Sequence, residues 1–375
     1  MSAGDCRHSR CLATRRSGRR FLTFALLSML VLGACSGPES EVTSSAEETA
    51  QAADATATGA SNVATQPDVA PSATATSEPD ATETAEPAPT LELSATASTT
   101  PEPTATVAPT ATETTAPREG SVLPGNRILS YYGHPSTPQM GILGEYSKEE
   151  LLEVLRAQAA EYEAADPDTP VVLAFEIIGT VAQPNPGDDG TYLLYTGDEW
   201  IGEYVDFATA NNMLLIIDLQ IGHNTIPNEI DRIRHWLELP NVHVALDPEF
   251  STGPDRIPGE FIGEVDGVEV QKAVEMLAEI VREKDIPNKI LIVHQFENEM
   301  IYNKEQIQPV EGVDFVLDMD GFGGAGAKIE NYDIFVRQEL SEYGGIKLFY
   351  QQDDPLMTPA EIVALEPSPL FVVYQ

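Results

Sequence analysis

Acidic, histidine and amide side chains follow a series of short apolar segments in the C-terminal part of the chain. Five of these segments end in such residues, namely Glu176, Asp218 with Gln220, Asp247 with Glu249, His294 with Gln295, and Asp318 with Asp320. An ionisable group beside buried apolar residues is destabilising unless it is paired or used. The repeated ending therefore predicts that these side chains meet in one functional pocket, with a structural ring of hydrogen bonds as the alternative.

Asp247 and Glu249 are the pair best suited to catalysis. They are two residues apart, so in an extended backbone their side chains point to the same side. One carboxylate raises the pKa of its neighbour, which gives a proton donor beside an ionised group, and cleavage of a glycosidic bond needs both. The candidate catalytic residues are Glu249, Asp247, Glu176, Asp218, His294, Asp318 and Asp320.

Aromatic, amide and histidine residues next to the apolar segments are candidates for substrate binding. They are Tyr131, Tyr132, His134, Gln220, Gln295, Tyr350, Gln351 and Tyr374. Aromatic rings offer an apolar face to a sugar ring, and amides both donate and accept hydrogen bonds. These residues would serve a catalytic barrel and a purely binding one equally well.

Eight apolar, β-branched segments must position these groups. We predict strands at 128–132, 171–175, 213–217, 242–246, 290–293, 313–317, 346–350 and 370–374. Such strands are typical of a parallel sheet that is covered on both faces. Helix signals lie between them, including capping boxes that begin at Ser147 and Thr358 and one apolar face over residues 268–283.

Eight strands alternating with helices over residues 121–375 predict an α/β fold, a (β/α)8 barrel of TIM type. A doubly wound open sheet is the main alternative, but no strand is followed by the glycine-rich phosphate turn of that fold. Long loops at 133–146, 179–197 and 248–265 place the functional end at the carboxyl ends of the strands. The chain stops at Gln375, directly after the eighth strand, so we expect the eighth helix to be missing.

Three motifs at these strand ends resemble those of chitinase-like glycosidases of family 18. Leu246-Asp247-Pro248-Glu249-Phe250 is similar to the acidic motif of that family's fourth strand, Leu317-Asp318-Met319-Asp320 to that of its sixth strand, and Tyr131-Tyr132 to its first strand. The resemblance implies that Glu249 protonates the glycosidic oxygen and that Asp247 orients a substrate acetamido group.

Two other functions remain open at this point. The barrel is either non-catalytic, binding carbohydrate or acting as a scaffold, or it is a hydrolase that uses a hard metal ion. In the second case Glu176, Asp218, His294 and Asp320 could ligate Ca²⁺ or Mg²⁺. The leading interpretation needs neither a metal nor a cofactor.

The charge of the chain excludes some partners. The net charge is -39, and residues 121–375 alone hold 45 acidic and 14 basic residues, a net charge of -31. Binding to nucleic acid needs an excess of Lys and Arg, so nucleic acid is excluded, and strongly anionic polymers are repelled. A carbohydrate or another polymer of the cell envelope is the expected partner.

The first residues resemble the signal peptide of a bacterial lipoprotein. A basic run (Arg15, Arg16, Arg19 and Arg20) precedes the apolar run 21–32, and Leu32-Gly33-Ala34-Cys35 resembles the lipobox, whose cysteine receives a diacylglycerol. The resemblance implies a signal peptide at 1–34 and a mature protein anchored to the bilayer through Cys35. The protein would then be attached to the cell membrane and face the extracytoplasmic side.

Residues 35–120 are rich in Ala, Thr, Ser, Pro and Glu and have almost no aromatic residues. Such a segment cannot bury enough apolar surface to offset its loss of conformational entropy. We therefore predict a disordered linker at 35–120 that holds a barrel domain at 121–375 away from the membrane.

The lipobox leads to a first prediction, that Cys35 is the site of lipidation. Cys35→Ser removes the thiol that would be alkylated, so the protein should move from the membrane fraction to the soluble extracytoplasmic fraction. Fractionation followed by immunoblotting measures this, and unchanged membrane association of the variant would refute the lipid anchor.

Overall fold

The computed structural model describes residues 116–338 and 342–375, and its centre is a sheet of eight parallel strands. The strands are β1 Arg127–Gly133, β2 Val171–Ala182, β3 Leu214–Gln220, β4 Val242–Asp247, β5 Lys289–Gln295, β6 Val313–Met319, β7 Tyr343–Leu348 and β8 Phe371–Tyr374. Each strand is almost wholly buried because apolar side chains cover both faces of the sheet.

The sheet closes into a barrel. β1 pairs in parallel with β2 on one side and with β8 on the other, so the eight parallel strands form a closed ring. The predicted TIM-type barrel is therefore confirmed, and the open, doubly wound sheet is excluded.

Six α-helices connect the strands. They are α1 Lys148–Ala165, α2 Asp198–Ala210, α3 Ile226–Leu237, α4 Gly267–Lys284, α5 Ala325–Tyr332 and α6 Pro359–Val363. Both predicted capping boxes are present, with Ser147 bonded to Glu150 and Thr358 bonded to Glu361, and they fix the starts of α1 and α6.

Two connections depart from the regular pattern. Between β5 and β6 the chain forms two 3₁₀ turns, Asn298–Met300 and Lys304–Gln306, instead of an α-helix. A short parallel pairing of Val265–Asp266 with Ile301–Tyr302 ties this connection to the start of α4. Within the part of the chain that the structure describes, no helix follows β8. Instead, α6, which precedes β8, packs against α1.

The strand predictions were wrong at some boundaries. β2 continues to Ala182, where it pairs with the antiparallel segment Leu193–Tyr195. β7 begins at Tyr343 rather than at residue 346, because Gly344 and Gly345 belong to the strand. A Cβ on Gly344 would lie 2.3 Å from the Tyr332 hydroxyl and one on Gly345 2.6 Å from Oδ1 of Asp318, so these glycines permit close packing rather than a turn.

Side-chain alternation along the strands separates two apolar layers. One layer fills the barrel with residues from every strand, among them Ile128, Ala174, Ile216 and Ile292, and Leu123 from the N-terminal flank joins it. The other layer lies between the strands and the helices. Because successive residues face opposite sides, every second residue at the carboxyl end of each strand points into the barrel above the apolar layer.

The predicted signal peptide, Cys35 and the predicted linker up to residue 115 lie outside the described residues. Among residues 116–338 and 342–375, none of the helices has both the length and the apolar character needed to cross a bilayer.

A second prediction concerns autonomous folding, because residues 116–126 pack on the barrel. Arg118 donates to Ile286 O and pairs with Asp285, and Leu123 is 1% exposed. A fragment of residues 116–375 should therefore unfold cooperatively on its own. Leu123→Ala in this fragment should reduce the free energy of unfolding by about 2–5 kcal/mol, as is usual for a buried leucine.

Denaturant titration followed by circular dichroism measures both quantities. A fragment that shows no cooperative transition would refute the domain boundary. An unchanged midpoint for Leu123→Ala would show that the N-terminal flank does not close the barrel.

Candidate active site

Polar side chains from seven strands fill the barrel at its carboxyl end. They are Tyr132, Glu176, Asp218, Asp247, His294, Asp318 and Lys347. The strand register brings them together, since Tyr132 lies opposite Glu176 and His294 lies opposite Asp318 on paired parallel strands. We call these seven residues, with Asp320 and Glu249 just beyond the strands, the mouth cluster.

His294 lies at the centre of the mouth cluster and is 1% exposed. Its Nδ1 is 2.9 Å from Oδ2 of Asp318, and its Nε2 is 3.0 Å from Oε1 of Glu176. An imidazole that faces a carboxylate at each nitrogen donates both hydrogen bonds only when it is protonated. The ring therefore acts as a buried cation between two acids.

Lys347 supplies the second positive charge of the cluster. Its Nζ lies 3.1 Å from Oδ2 of Asp320 and 3.7 Å from the centre of the Tyr132 ring. The Tyr132 hydroxyl in turn donates to Oδ2 of Asp218 at 3.0 Å. Lys347 and His294 thus connect carboxylates from β2, β3 and β6 into one network.

The carboxylates keep both cations charged in spite of burial. Burial alone lowers the pKa of His294, but the charge of Glu176 and the bonds to Asp318 and Glu176 raise it well above its usual value. Burial likewise lowers the pKa of Lys347, but Asp320 and Glu176 raise it above its usual value. Both residues are therefore cations at neutral pH.

The two cations do not neutralise the whole cluster. Burial raises the pKa of Asp218 to about 6 although the charge of His294 opposes the shift, and burial raises the pKa of Asp318 to about 6 although its bond to His294 opposes the shift. Burial and the charges of Asp218 and Glu249 raise the pKa of Asp247 well above its usual value.

Of the two acids Asp247 and Glu249, Glu249 is the more accessible to solvent. It lies in a 3₁₀ turn, Pro248–Phe250, that begins directly after β4, and Asp247 caps this turn by accepting a bond from Glu249 N at 3.2 Å. Glu249 is half-buried, whereas Asp247 is 5% exposed. Burial and the charge of Asp320 raise the pKa of Glu249 to about 7.

Several buried oxygens of the cluster have no hydrogen-bond partner. Within the described residues they are Oε2 of Glu176, Oδ1 of Asp218, Oδ1 of Asp318 and Oδ1 of Asp320. Buried polar atoms are nearly always hydrogen-bonded, and exceptions concentrate where a protein binds or reacts. Buried atoms without a partner also occur at the amino ends of the strands, in Arg127, His243, Asp314, Glu342 and Tyr343. What favours a functional site over a structural ring is that four of those at the carboxyl end are carboxylate oxygens of one cluster.

The structure places the predicted substrate-binding residues in two regions. Tyr132 belongs to the mouth cluster, whereas Gln295, which follows His294 in β5, is buried and donates to Glu297 O at 2.9 Å. Gln220 accepts from Ala182 N at 2.7 Å, and His134 bonds to Oγ1 of Thr196 at 3.1 Å. Gln220 thus stabilises the end of β2, and His134 stabilises the loop that follows β1.

The remaining predicted binding residues lie away from the cluster. The hydroxyls of Tyr131 and Tyr374 point out of the barrel toward α1, where they bond to Gln158 at 3.0 Å and to Tyr162 at 2.7 Å. Tyr350 stacks on Tyr374 with ring centres 5.2 Å apart, and Gln351 is exposed in the following turn. The structure therefore does not bring Tyr131, Tyr350, Gln351 and Tyr374 to the candidate site.

Sequence reasoning missed Lys347, which pairs with Asp320. A signal was present, because Lys347 stands between Ile346 and Leu348 in an apolar strand, and a charge there requires a buried partner. It also missed Lys328 of α5, whose Nζ lies 3.1 Å from Oδ2 of Asp353 in the loop after β7 and donates to Gly321 O in the loop after β6 at 2.6 Å.

Glu176, Asp218 and His294 could also hold a metal ion. One ligand atom from each lies within 4.8 Å of the others. Both nitrogens of His294 already face carboxylates, however, and the Lys347 ammonium raises the electrostatic cost of adding a divalent cation. The charge distribution favours a proton on His294 over a metal ion.

Comparisons with known proteins give only distant similarity. No family model and no curated protein matches the chain. A cellulose synthase subunit Z from Clostridioides difficile is 10% identical with a TM-score of 0.36, over 67% of this chain and 92% of that one. A β-mannanase from a symbiotic protist of the termite Reticulitermes speratus, complexed with gluco-manno-oligosaccharide, is 8% identical with a TM-score of 0.32, over 67% and 79%. Similarity at this level carries no information about the reaction.

A third prediction tests the charge balance of the mouth cluster. Lys347→Met removes the ammonium but keeps an unbranched apolar chain, so Asp320 loses the closer of its two cations inside the barrel. Removing one partner of a buried pair costs about 3–5 kcal/mol, and we expect this loss in the free energy of unfolding at neutral pH. The loss should be smaller near pH 5, because carboxyl groups of raised pKa then take up protons and no longer need the cation.

Lys148→Met is the matched control. Lys148 pairs with Glu203 at 3.0 Å, but Glu203 is 63% exposed, so this change should cost less than about 1 kcal/mol. Equal losses for the two variants, or a loss for Lys347→Met that does not depend on pH, would contradict the proposed role of Lys347.

Proposed function

We propose that the barrel hydrolyses glycosidic bonds in a carbohydrate outside the membrane, with Glu249 as the general acid. The observation that carries the proposal is the position of Glu249, which is half-buried beside an otherwise closed carboxylate cluster and has its pKa raised to about 7. A carboxyl group with a pKa near the working pH is suited to donate a proton to a leaving oxygen.

Asp320 is the partner that this mechanism needs. Its Oδ2 accepts from Lys347 at 3.1 Å and lies 3.7 Å from Nδ1 of His294, so two cations stabilise its negative charge. Its charge is the largest electrostatic influence on Glu249. An acid held neutral beside a carboxylate held ionised is the division of labour of glycosidases, in which the carboxylate acts as nucleophile or as base toward water.

Asp247 has a positioning role in this scheme. Its Oδ1 accepts from Glu249 N at 3.2 Å and so fixes the turn that carries the acid. Glu176, His294 and Asp318 lie deeper and are at most 1% exposed. Their charges form the electrostatic environment of the outer carboxyl groups.

A non-catalytic binding or scaffold barrel is the second candidate. The observation in its favour is that ion pairs fill the mouth of the barrel, since Glu176, Asp218, His294 and Asp318 are each almost inaccessible. In that case Glu249 would be one more partner of the network, and its substitution would affect stability more than turnover.

The proposed location follows from the sequence. The lipobox at Cys35 would anchor the protein on the extracytoplasmic side, where polymers of the cell envelope are available as substrates.

A fourth prediction therefore concerns Glu249→Gln. The amide keeps the shape of the side chain but cannot donate the proton, so turnover should fall by about 10²–10⁴-fold, the usual contribution of a positioned acid. Wild-type turnover should also decline as the pH rises through about 7, because Glu249 then loses its proton. The measurement is a screen of the full-length protein against glycans of varied sugar and linkage, reading reducing ends and pH profiles.

Glu153→Gln on the exposed face of α1 is the control, since it removes the same charge far from the mouth. Full turnover in Glu249→Gln with a normal melting curve would exclude the acid role. Loss of folding in that variant, with no turnover of any glycan by the wild type, would favour the scaffold.

A further inference from the structure

The ion pairs of the mouth cluster leave one carboxyl pair without a cation. In residues 116–338 and 342–375, His294 pairs with Glu176 and Asp318 and lies within 4 Å of a carboxylate oxygen of Asp320 and of Asp218, at 3.7 and 3.9 Å. Lys347 pairs with Asp320. The ion pairs of this part of the chain include none to Asp247 or Glu249.

The side chain of Asp247 has a single hydrogen bond, from Glu249 N to Oδ1. Its carboxyl group feels the negative charges of Asp218, Glu249 and Asp320, which the positive charge of His294 opposes in part. Within the described residues, Oδ1 of Asp218 and Oδ1 of Asp320 are buried and have no hydrogen-bond partner, although Oδ1 of Asp218 lies 3.9 Å from Nε2 of His294. Buried carboxylate oxygens without a hydrogen-bond partner attract positive charge, and the low dielectric constant of their surroundings strengthens that attraction.

The surroundings of Glu249 add to the negative field. The loop that follows it returns to donate from Gly263 N to Glu249 O at 2.6 Å. This loop encloses a cavity of about 190 Å³ whose ionisable lining residues are Asp255, Glu264 and Arg256. The guanidinium of Arg256 lies over the Phe261 ring, 5.3 Å from its centre. The charges of Asp320 and of Glu297, in the loop after β5, act on Glu249, and the charges of Lys347 and His294 oppose them in part.

We propose that the substrate is a carbohydrate with free ammonium groups, a polymer of unacetylated amino sugars, and that Asp247 binds the ammonium of the sugar next to the scissile bond. This inference rests on the proposed glycosidase function and specifies its substrate class. An ammonium offers three donors and a full positive charge to the unpaired oxygens, whereas a neutral sugar offers hydroxyl donors without charge. N-acetylation removes the charge and adds bulk, and an anionic sugar is repelled.

Matched sugars that differ only in the amine test the proposal without assuming a linkage. The full-length protein is titrated with glucosamine and galactosamine and with their N-acetylated forms, at a pH where the amines are charged, and binding is followed by NMR of the sugar. We expect the amines to bind at least about tenfold more tightly than the acetylated sugars, the effect of one good charge-assisted contact.

Asp247→Asn is the informative variant, because asparagine also caps a turn but carries no charge. It should abolish the preference for the amine, while Glu153→Gln should retain it. Equal binding of both forms by the wild type, or a preference that survives in Asp247→Asn with normal circular dichroism, would overturn the inference.

A turnover arm separates this inference from the proposed function. Oligosaccharides of both amino sugars, in α and β linkages, are compared with their acetylated forms and with neutral glycans. Faster hydrolysis of the neutral or acetylated glycans would refute the amino-sugar inference and leave the glycosidase standing. Amine-selective binding without hydrolysis of any glycan would refute the glycosidase and leave the cation site of Asp247.

Discussion

The protonated ring of His294 between Glu176 and Asp318 is the interaction on which the rest of the site depends. A barrel of apolar strands is a poor solvent for charge, and an isolated carboxylate inside it would take up a proton or unfold the protein. With a cation 2.9–3.0 Å from an oxygen of each acid, the charges of Glu176 and Asp318 can remain inside the barrel. Buried pairs of this kind add little stability on balance, but losing one partner is severe. The barrel is therefore stable with the whole cluster in place but not with a cluster that has lost one partner.

That constraint also determines which carboxyl groups stay reactive. The two cations, on β5 and β7, form their ion pairs with Glu176, Asp318 and Asp320, so their charges oppose only in part the raised pKa values of Asp247 and Glu249 at the end of β4. Glu249 is reached from outside, and Asp247 fixes the turn that carries it. Because Asp247 and Glu249 have no ion-pair partner among the described residues, a proton donor (Glu249) and an acceptor with unsatisfied hydrogen bonds (Asp247) lie next to each other.

Much of the fold could be predicted from local signals. Apolar β-branched runs, long loops on one side and two capping boxes specified the barrel, because these features act within a few residues. Two features could not be predicted, because both depend on packing between distant elements. They are the β5–β6 connection, which lacks an α-helix, and the start of β7, which contains two glycines. Gly345 belongs to β7 because Asp318 of the neighbouring strand occupies the space of its missing side chain.

The site, like the fold, has features that the local sequence predicts and features that depend on residues far apart in the chain. Polar residues at the strand ends identified the catalytic candidates, but which face each residue occupies depends on register. Tyr131 and Tyr132 are neighbours in sequence, yet Tyr132 bonds to Asp218 inside the barrel and Tyr131 bonds to Gln158 outside it. Lys347 shows why charge must be balanced over the whole cluster, since six acids inside one barrel mouth imply cations from other strands. Where the protein itself supplies too few, as beside Asp247, the remaining positive charge has to come from the ligand or from protons.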